Sequence, residues 1–265
     1  MNIDNLKKNA NLMVQKGKGI LAADESTPTC KKRFDTIGVE STEENRNAYR
    51  DMLFTTPDIQ EFISGVILFD ETLRQSTLKE KTKYPDYLKS LGVIPGIKVD
   101  KGAHSLSGSD GEKVTEGLDG LGKRSEEYFS LGARFAKWRA VIEISDNTPT
   151  SSCIAANAHA LARYAAICQE NGLVPIVEPE ILMDGKHSIE ESFIISEEVL
   201  HTTFYELYSQ NVLLEGMVLK PNMVLSGYDC SEQASVDEVA EMTVTVLKRC
   251  VPSAVPGIAF LSGGQ

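Results

Sequence analysis

The sequence has no apolar run long enough to span a membrane. A membrane-spanning helix needs about 20 consecutive, predominantly apolar residues, and every apolar run here is much shorter. The first residues, Met1-Asn2-Ile3-Asp4, also lack the basic stretch followed by an apolar stretch that is typical of a signal peptide. We therefore expect a soluble, intracellular protein with no membrane partner.

Positive charge is also scarce. Lysine and arginine number 27 against 38 aspartates and glutamates, which leaves a net charge of −11. This balance argues against a general nucleic-acid binder, because such proteins carry a basic surface. It still allows a locally basic pocket for an anionic ligand.

Cysteine and histidine are few. The five cysteines form no CxxC pair, which indicates reduced thiols in a reducing compartment. The four histidines are scattered, and none ends an apolar run. Because a zinc centre needs clustered ligands, we expect no metal and no other cofactor.

What the sequence does contain is a regular alternation of short apolar runs and longer amphipathic segments. Runs of this size, flanked by glycine and proline, are typical of buried parallel strands, and their alternation with helices predicts a parallel sheet. No Gly/Ser/Pro-rich linker divides the chain, so we expect one α/β domain over residues 1–265. The runs are 19–24, 65–70, 94–100, 135–142, 175–178, 213–220 and 257–262.

The segments between the runs carry helix signals. Ser41, Ser188 and Ser235 are each followed three residues later by glutamate, which predicts three capping boxes. Apolar residues at helical spacing predict a helix over residues 151–170 that stops at Asn171-Gly172. About forty residues separate the first two runs, so extra helices are expected there. Residues 102–122 are rich in glycine and serine and predict a long loop, either functional or a surface excursion.

Charged side chains follow the apolar runs. In a (β/α)₈ barrel the carboxyl ends of the strands form the active-site face, so these charges are expected to converge. Three of them are lysines, which would lower one another's pKa and leave one as a free amine nucleophile. The charged and polar residues at this face are Asp24, Asp70, Lys98, Asp100, Lys137, Arg139, Glu178, Glu180, Lys220 and Ser262.

This combination points to a type of reaction. An amine can attack a ketone and form a Schiff base that acts as an electron sink, and nearby carboxylates can transfer the protons. The extra cations suit an anionic substrate, most simply a phosphate. The turn Ser262-Gly263-Gly264 has backbone N–H groups that can hold a phosphate, although any tight turn has this composition.

At these residues the sequence closely resembles class I fructose-bisphosphate aldolase. Seven motifs occur in the order of the family and cover the whole chain, which is far more specific than one pattern match. They are residues 17–27, 68–73, 96–102, 135–139, 175–180, 218–223 and 260–265. The resemblance implies a (β/α)₈ barrel, with seven of its eight strands in this chain. It also implies reversible cleavage of fructose 1,6-bisphosphate to dihydroxyacetone phosphate and glyceraldehyde 3-phosphate.

The resemblance further implies a role for each matching residue. Lys220 matches the Schiff-base lysine, Glu178 the acid/base of carbinolamine formation and dehydration, and Asp24 the residue that handles the C4 hydroxyl proton. Lys137 and Glu180 match charged neighbours that tune the site and position the substrate. The other matches are substrate and phosphate contacts: Lys98, Arg139, Ser26, Thr29 and Arg33 for the six-phosphate, and Ser262 and Gly263 for the one-phosphate.

The chain departs from the family pattern in two places. Thr29 stands where many relatives carry serine, and because the hydroxyl is kept we expect little effect. The sequence ends at Gln265, whereas the family continues with strand eight, a phosphate-binding arginine and a mobile tail bearing a tyrosine. Since a missing strand would leave two sheet edges unpaired, we expect this exact chain to fold poorly or be inactive unless it is part of a longer protein.

Several alternatives stay open at this stage. A zinc-dependent aldolase and a transaldolase-like Schiff-base barrel share parts of the chemistry but not the motifs. A truncated homologue can also act as an inactive binding or scaffold protein. By resemblance we expect a phosphorylated ketose as substrate, a homotetramer and a cytoplasmic location, or an organelle such as a plastid if a transit segment was removed.

Overall fold

The computed structural model describes residues 2–261, and the predicted contacts of Ser262 and Gly263 lie outside them. The strands are β1 (Gly19–Ala23), β2 (Ile63–Leu68), β3 (Ile94–Lys98), β4 (Ala103–Ser105), β5 (Lys113–Thr115), β6 (Phe135–Ile142), β7 (Val174–Ile181) and β8 (Val218–Leu219). Six of them form a curled parallel sheet in the order β1-β2-β3-β6-β7-β8, and β4 and β5 form a separate antiparallel hairpin. The predicted α/β fold of the (β/α)₈ class is confirmed.

Helices connect the strands, and three of them, α2 to α4, fill the long segment between β1 and β2 as predicted. The helices are α1 (Ile3–Met13), α2 (Thr27–Asp35), α3 (Glu43–Phe54), α4 (Ile59–Phe62), α5 (Asp70–Arg74), α6 (Tyr84–Ser90), α7 (Leu121–Ser130), α8 (Ser151–Glu170), α9 (Ile189–Ser209) and α10 (Val236–Cys250). None of the helices in the described residues combines the length and apolarity that crossing a membrane requires.

The helix predicted over residues 151–170 is confirmed as α8, with the same bounds. Its apolar face is buried because Ile154, Leu161 and Cys168 recur at helical spacing toward the sheet. Gly172 follows with φ +79°, a left-handed conformation that favours glycine.

Two of the three predicted capping boxes are confirmed, at Ser188 of α9 and Ser235 of α10. The third is wrong, because Thr42 rather than Ser41 caps α3 by accepting a hydrogen bond from the Asn45 backbone. A one-residue shift of the cap moves asparagine into the position that a capping box reserves for glutamate or glutamine.

The predicted strand over residues 257–262 is wrong in the described part of that segment. Leu219 donates its backbone N–H to Gly257 and accepts from Ala259, and Ile258 forms a single parallel bridge to Leu219. The next donor in such a ladder would be residue 221, and Pro221 has no N–H. Pairing therefore stops after one residue.

Residues 102–122 are only partly the loop that was predicted, because they contain the β4–β5 hairpin. Buried Glu112 ties this hairpin to the start of α8, where its carboxylate accepts from the backbone and the hydroxyl of Thr150 at 2.7 Å each. The segment is thus held by ordinary secondary structure and one buried carboxylate.

The amino end of the sheet interior is closed by α1. Leu6, Ala10 and Met13 lie one helical turn apart on one face. They pack against the strand residues Ile67, Phe135, Val174, Ile176 and Val218. Leu6 and Ala10 are fully buried, so apolar side chains fill this end of the sheet interior. The polar site must therefore lie at the opposite, carboxyl end.

Candidate active site

The strand register brings the charged residues together at the carboxyl end of the sheet. Lys98 of β3 pairs with Lys137 of β6, and Arg139 of β6 pairs with Glu178 of β7. Side chains two residues apart point to the same face of a strand, so Lys137 and Arg139 share a face. Lys220 and Asp24 directly follow β8 and β1 and lie at the same end.

Glu178 lies at the centre of this group. Its carboxylate accepts a hydrogen bond from Lys220 Nζ on one oxygen, and Lys137 Nζ lies 3.7 Å from the other. The residue is only 1% exposed. Burial raises the pKa of Glu178 above its ordinary value, although the ammonium groups of Lys137 and Lys220 act in the opposite direction. A carboxyl group with a raised pKa is suited to giving and taking a proton near neutral pH.

Lys137 joins Glu178 to Asp24, since its Nζ donates to Asp24 Oδ2 at 3.0 Å. Desolvation lowers the pKa of Lys137, but the carboxylates of Asp24 and Glu178 outweigh it, so the pKa lies above its ordinary value. The expectation that crowded lysines lower one another's pKa is therefore wrong for Lys137, because each lysine here faces carboxylates. Four side chains form a continuous chain of contacts: Lys220, Glu178, Lys137 and Asp24.

The rim of the site carries two further ion pairs. Arg139 donates through Nε to Glu180, and the same nitrogen lies 4.0 Å from Glu178 Oε1. Lys98 Nζ lies 2.5 Å from Asp100 Oδ1, an oxygen that also accepts from the Gly102 backbone. These cations are more exposed than Lys137 and are available to an anionic group.

Ser26, the residue before α2, and Thr29 and Arg33 within it lie apart from this network. The hydroxyls of Ser26 and Thr29 are 3.0 Å apart, and Arg33 forms an ion pair with Glu25. Buried Arg50 holds the other oxygen of Glu25. The sequence analysis did not single out Glu25 or Arg50. The available signal was a second acid directly after Asp24.

Asp70 is not joined to the network around Glu178. It begins α5 and forms an ion pair with Arg74 at 3.0 Å, four residues on along the same helix. No hydrogen bond or ion pair within residues 2–261 connects it to Glu178 or the lysines. Its position is that of an ordinary helix-start acid.

A cavity of about 150 Å³ opens beside Lys220. Glu180, Asn222 and Met223 line one part of it, and Phe260 and Leu261 line another. Lys220 thus borders a space with a partly apolar wall, and its amine contacts a buried carboxyl group. This arrangement can attack a carbonyl carbon, remove water from the adduct and exchange protons with it.

Metal donors do not gather here. Among the described residues, the one group of three close histidine, cysteine or carboxylate donors is Glu197, His201 and Cys250, on α9 and α10. None of the three belongs to the network around Lys220.

Comparison with known proteins shows the family of the chain. The family model described as "Glycolytic: Fructose-bisphosphate aldolase class-I" matches residues 5–265. The chain is 60% identical to "Probable fructose-bisphosphate aldolase class 1" of Xylella fastidiosa strain Temecula1, covering 100% of this chain and 79% of that protein. It is 56% identical to "Fructose-bisphosphate aldolase, cytoplasmic isozyme" of Cicer arietinum, covering 99% of this chain and 73% of that protein.

A solved structure is similar as well. It is a fructose-bisphosphate aldolase from Plasmodium falciparum in complex with TRAP and a small-molecule inhibitor. The match has a TM-score of 0.96 and 53% identity, and it covers 99% of this chain and 76% of that one.

Proposed function

The chain belongs to the class I fructose-bisphosphate aldolase family, and from this premise we propose how its residues act. The reaction is reversible cleavage of fructose 1,6-bisphosphate to dihydroxyacetone phosphate and glyceraldehyde 3-phosphate through a Schiff base on Lys220. We assign the activity to one domain over residues 1–265. The observation that carries the proposal is the contact of Lys220 with buried Glu178 beside the cavity.

Lys220 and Glu178 carry out the first half of the reaction. The neutral amine of Lys220 attacks the C2 carbonyl, and the carbonyl oxygen takes up a proton to give a carbinolamine. Glu178 then protonates this hydroxyl, water leaves, and an iminium forms between Lys220 and C2. The raised pKa of Glu178 keeps the proton available for this step.

Asp24 and Lys137 support the cleavage. Asp24 takes the proton of the C4 hydroxyl, the C3–C4 bond breaks, and its electron pair moves into the iminium to give an enamine. Glyceraldehyde 3-phosphate leaves, and protonation of C3 followed by hydrolysis releases dihydroxyacetone phosphate from Lys220. Lys137 contacts both Asp24 and Glu178, and its positive charge offsets the repulsion between the two carboxylates.

The remaining site residues bind the substrate phosphates and hydroxyls. We assign the six-phosphate end to the exposed cations and the α2 hydroxyls, with Glu180 positioning Arg139. The one-phosphate is assigned to the backbone of Ser262 and Gly263. The residues at the six-phosphate end are Lys98, Arg139, Ser26, Thr29 and Arg33.

The test is covalent trapping. The protein is incubated with dihydroxyacetone phosphate and borohydride, and its mass is measured before and after digestion. We expect one reduced adduct on Lys220, with none on the charge-conserving variant Lys220→Arg. The control Lys7→Met, at an exposed ion pair with Glu215, should keep the adduct. A folded wild-type protein without an adduct would overturn the proposal and favour a binding or scaffold role.

We also propose a homotetramer in the cytoplasm, with a phosphorylated ketose as substrate and no cofactor in the reaction. The cytosolic and cytoplasmic names of plant relatives support the location. Light scattering on the purified chain tests the assembly, and a mass of one or two chains at micromolar concentration would contradict it.

A further inference from the structure

Three metal-binding donors meet on the outer layer of the fold, away from Lys220. Glu197 and His201 lie four residues apart in α9, and such residues share one face of a helix. Cys250 is the last residue of α10 and lies against that face, with its sulfur 3.8 Å from the Glu197 carbonyl oxygen. One ligand atom of each residue lies within 4.8 Å of the other two.

The three donors have few competing contacts among the described residues. Within residues 2–261 the imidazole of His201 has no hydrogen bond or ion pair. Within the same residues the Glu197 carboxylate has one ion-pair partner, Arg249 at 3.2 Å, and the Arg249 side chain is 54% exposed. Exposed ion pairs of this kind contribute little free energy. The Cys250 thiol is buried and forms no disulfide.

The chemical types of the three donors indicate which metal ion the site would bind. Thiolate and imidazole are ligands that zinc prefers, and calcium and magnesium prefer sets made only of oxygen. A carboxylate oxygen is a common third zinc ligand, with water as the fourth. Ligand atoms of a tetrahedral zinc ion lie about 3.3–3.8 Å apart, given bond lengths of 2.0–2.3 Å. The present spacing, within 4.8 Å, is wider than this, so the side chains must rotate toward one another to bind the ion.

We propose that Glu197, His201 and Cys250 bind one Zn²⁺ ion and fasten α9 to the end of α10. The sulfur binds as thiolate, and its proton passes to solvent. The chain after Cys250 runs to Phe260 and Leu261, which line the cavity beside Lys220. The metal therefore fixes the start of the segment that forms the cavity wall and takes no part in the proposed chemistry.

The test uses untagged, reduced, metal-free protein titrated with Co²⁺ and Zn²⁺. We expect one Co²⁺ per chain, with visible bands of tetrahedral cobalt and a thiolate-to-cobalt charge-transfer band, and displacement of Co²⁺ by Zn²⁺. Cys250→Ser should abolish the charge-transfer band. His201→Ala, at an exposed position, should weaken Zn²⁺ binding by at least about tenfold.

Matched controls are Cys230→Ser and His104→Ala, which remove the same side-chain types at positions outside the site. Both should bind like the wild type. The proposal is overturned if the folded wild type binds no Zn²⁺, or if the charge-transfer band survives in Cys250→Ser. Because the readout is metal binding, the result is independent of the proposed aldol cleavage.

Discussion

The two ends of the sheet interior differ sharply, although the same strands and the same face supply both. On β6 the inward face changes from Phe135 to Lys137, and on β7 it changes from Ile176 to Glu178. After Val218 of β8 the next residue on that face is Lys220. One step of two residues thus separates a dry apolar layer from a layer of paired charges.

The difference separates stability from chemistry. Burial of apolar side chains under α1 is favourable and needs no partner. Buried charges are costly unless each is paired, and such pairs are weak evidence for stability. Substitutions at the apolar end should therefore change the free energy of unfolding, and substitutions at the charged end should change catalysis.

The largest effect is expected at the charged end. Lys220→Met removes the proposed nucleophile, and we expect kcat/KM to fall by more than about a thousandfold. Cooperative thermal unfolding should be kept, because Glu178 retains Lys137 as a partner. Steady-state cleavage assays and calorimetry measure the two quantities. If the variant kept a tenth of the wild-type kcat/KM, Lys220 could not be the nucleophile.

Next comes the apolar end. Leu6→Ala leaves a cavity beneath the sheet and should lower the free energy of unfolding by about 2–5 kcal/mol. Ile3→Ala on the same helix, at a side chain that is 44% exposed, should change it by less than about 0.5 kcal/mol. Urea titration measures both. If Leu6→Ala instead lowered kcat per folded molecule and left stability unchanged, the division of roles would fail.

A smaller effect on stability is expected at Gly96. A Cβ atom there would lie 2.2 Å from the ring of Phe135, so Gly96→Ala should cost about 1–3 kcal/mol through overpacking. Adding Phe135→Leu should recover part of this loss, because the two positions share one space. Gly122→Ala, whose methyl would meet Ile167 at 4.0 Å, is the control. Additive costs in the double variant would show that the ring is not the cause.

The smallest effect concerns pH. The Glu180 carboxylate contributes to raising the pKa of Glu178, and its removal also frees Arg139, 4.0 Å from Glu178. Both changes favour ionised Glu178. Because the dehydration step needs protonated Glu178, ionisation of this group sets the alkaline limb of the kcat/KM profile. In Glu180→Gln that limb should therefore move to lower pH, by less than about one unit. The control is Glu170→Gln at the exposed end of α8. A shift to higher pH would contradict the assignment of that limb to Glu178.

Patterns within one segment predicted much of this protein. Spacing alone gave α8 its bounds, and the serine–glutamate pairs at Ser188 and Ser235 marked two helix starts. Predictions were wrong where pairing with a neighbouring strand, or a shift of one residue, determines the local structure. The run over residues 257–261 forms one bridge because Pro221 on its partner lacks a donor, and the cap of α3 moved by one residue to Thr42.

The candidate site was also predictable only in part. Its residue types and their places at strand ends were evident from the sequence, including Lys220, Glu178, Lys137 and Asp24. Which carboxylate faces which amine was not, because these partners come from strands up to 113 residues apart. That pairing sets the direction of the pKa of Lys137, which the sequence reading had reversed.

The sequence by itself determined the alternation of strands and helices, the family, and the charged residues that end the strands. Local spacing and residue chemistry suffice for these because they depend on near neighbours along the chain. Only the tertiary structure decided that α1 seals one end, that Glu178 is shared by two lysines, and that Glu197, His201 and Cys250 meet. These contacts depend on the register between distant strands and on the packing of helices, which no local pattern encodes.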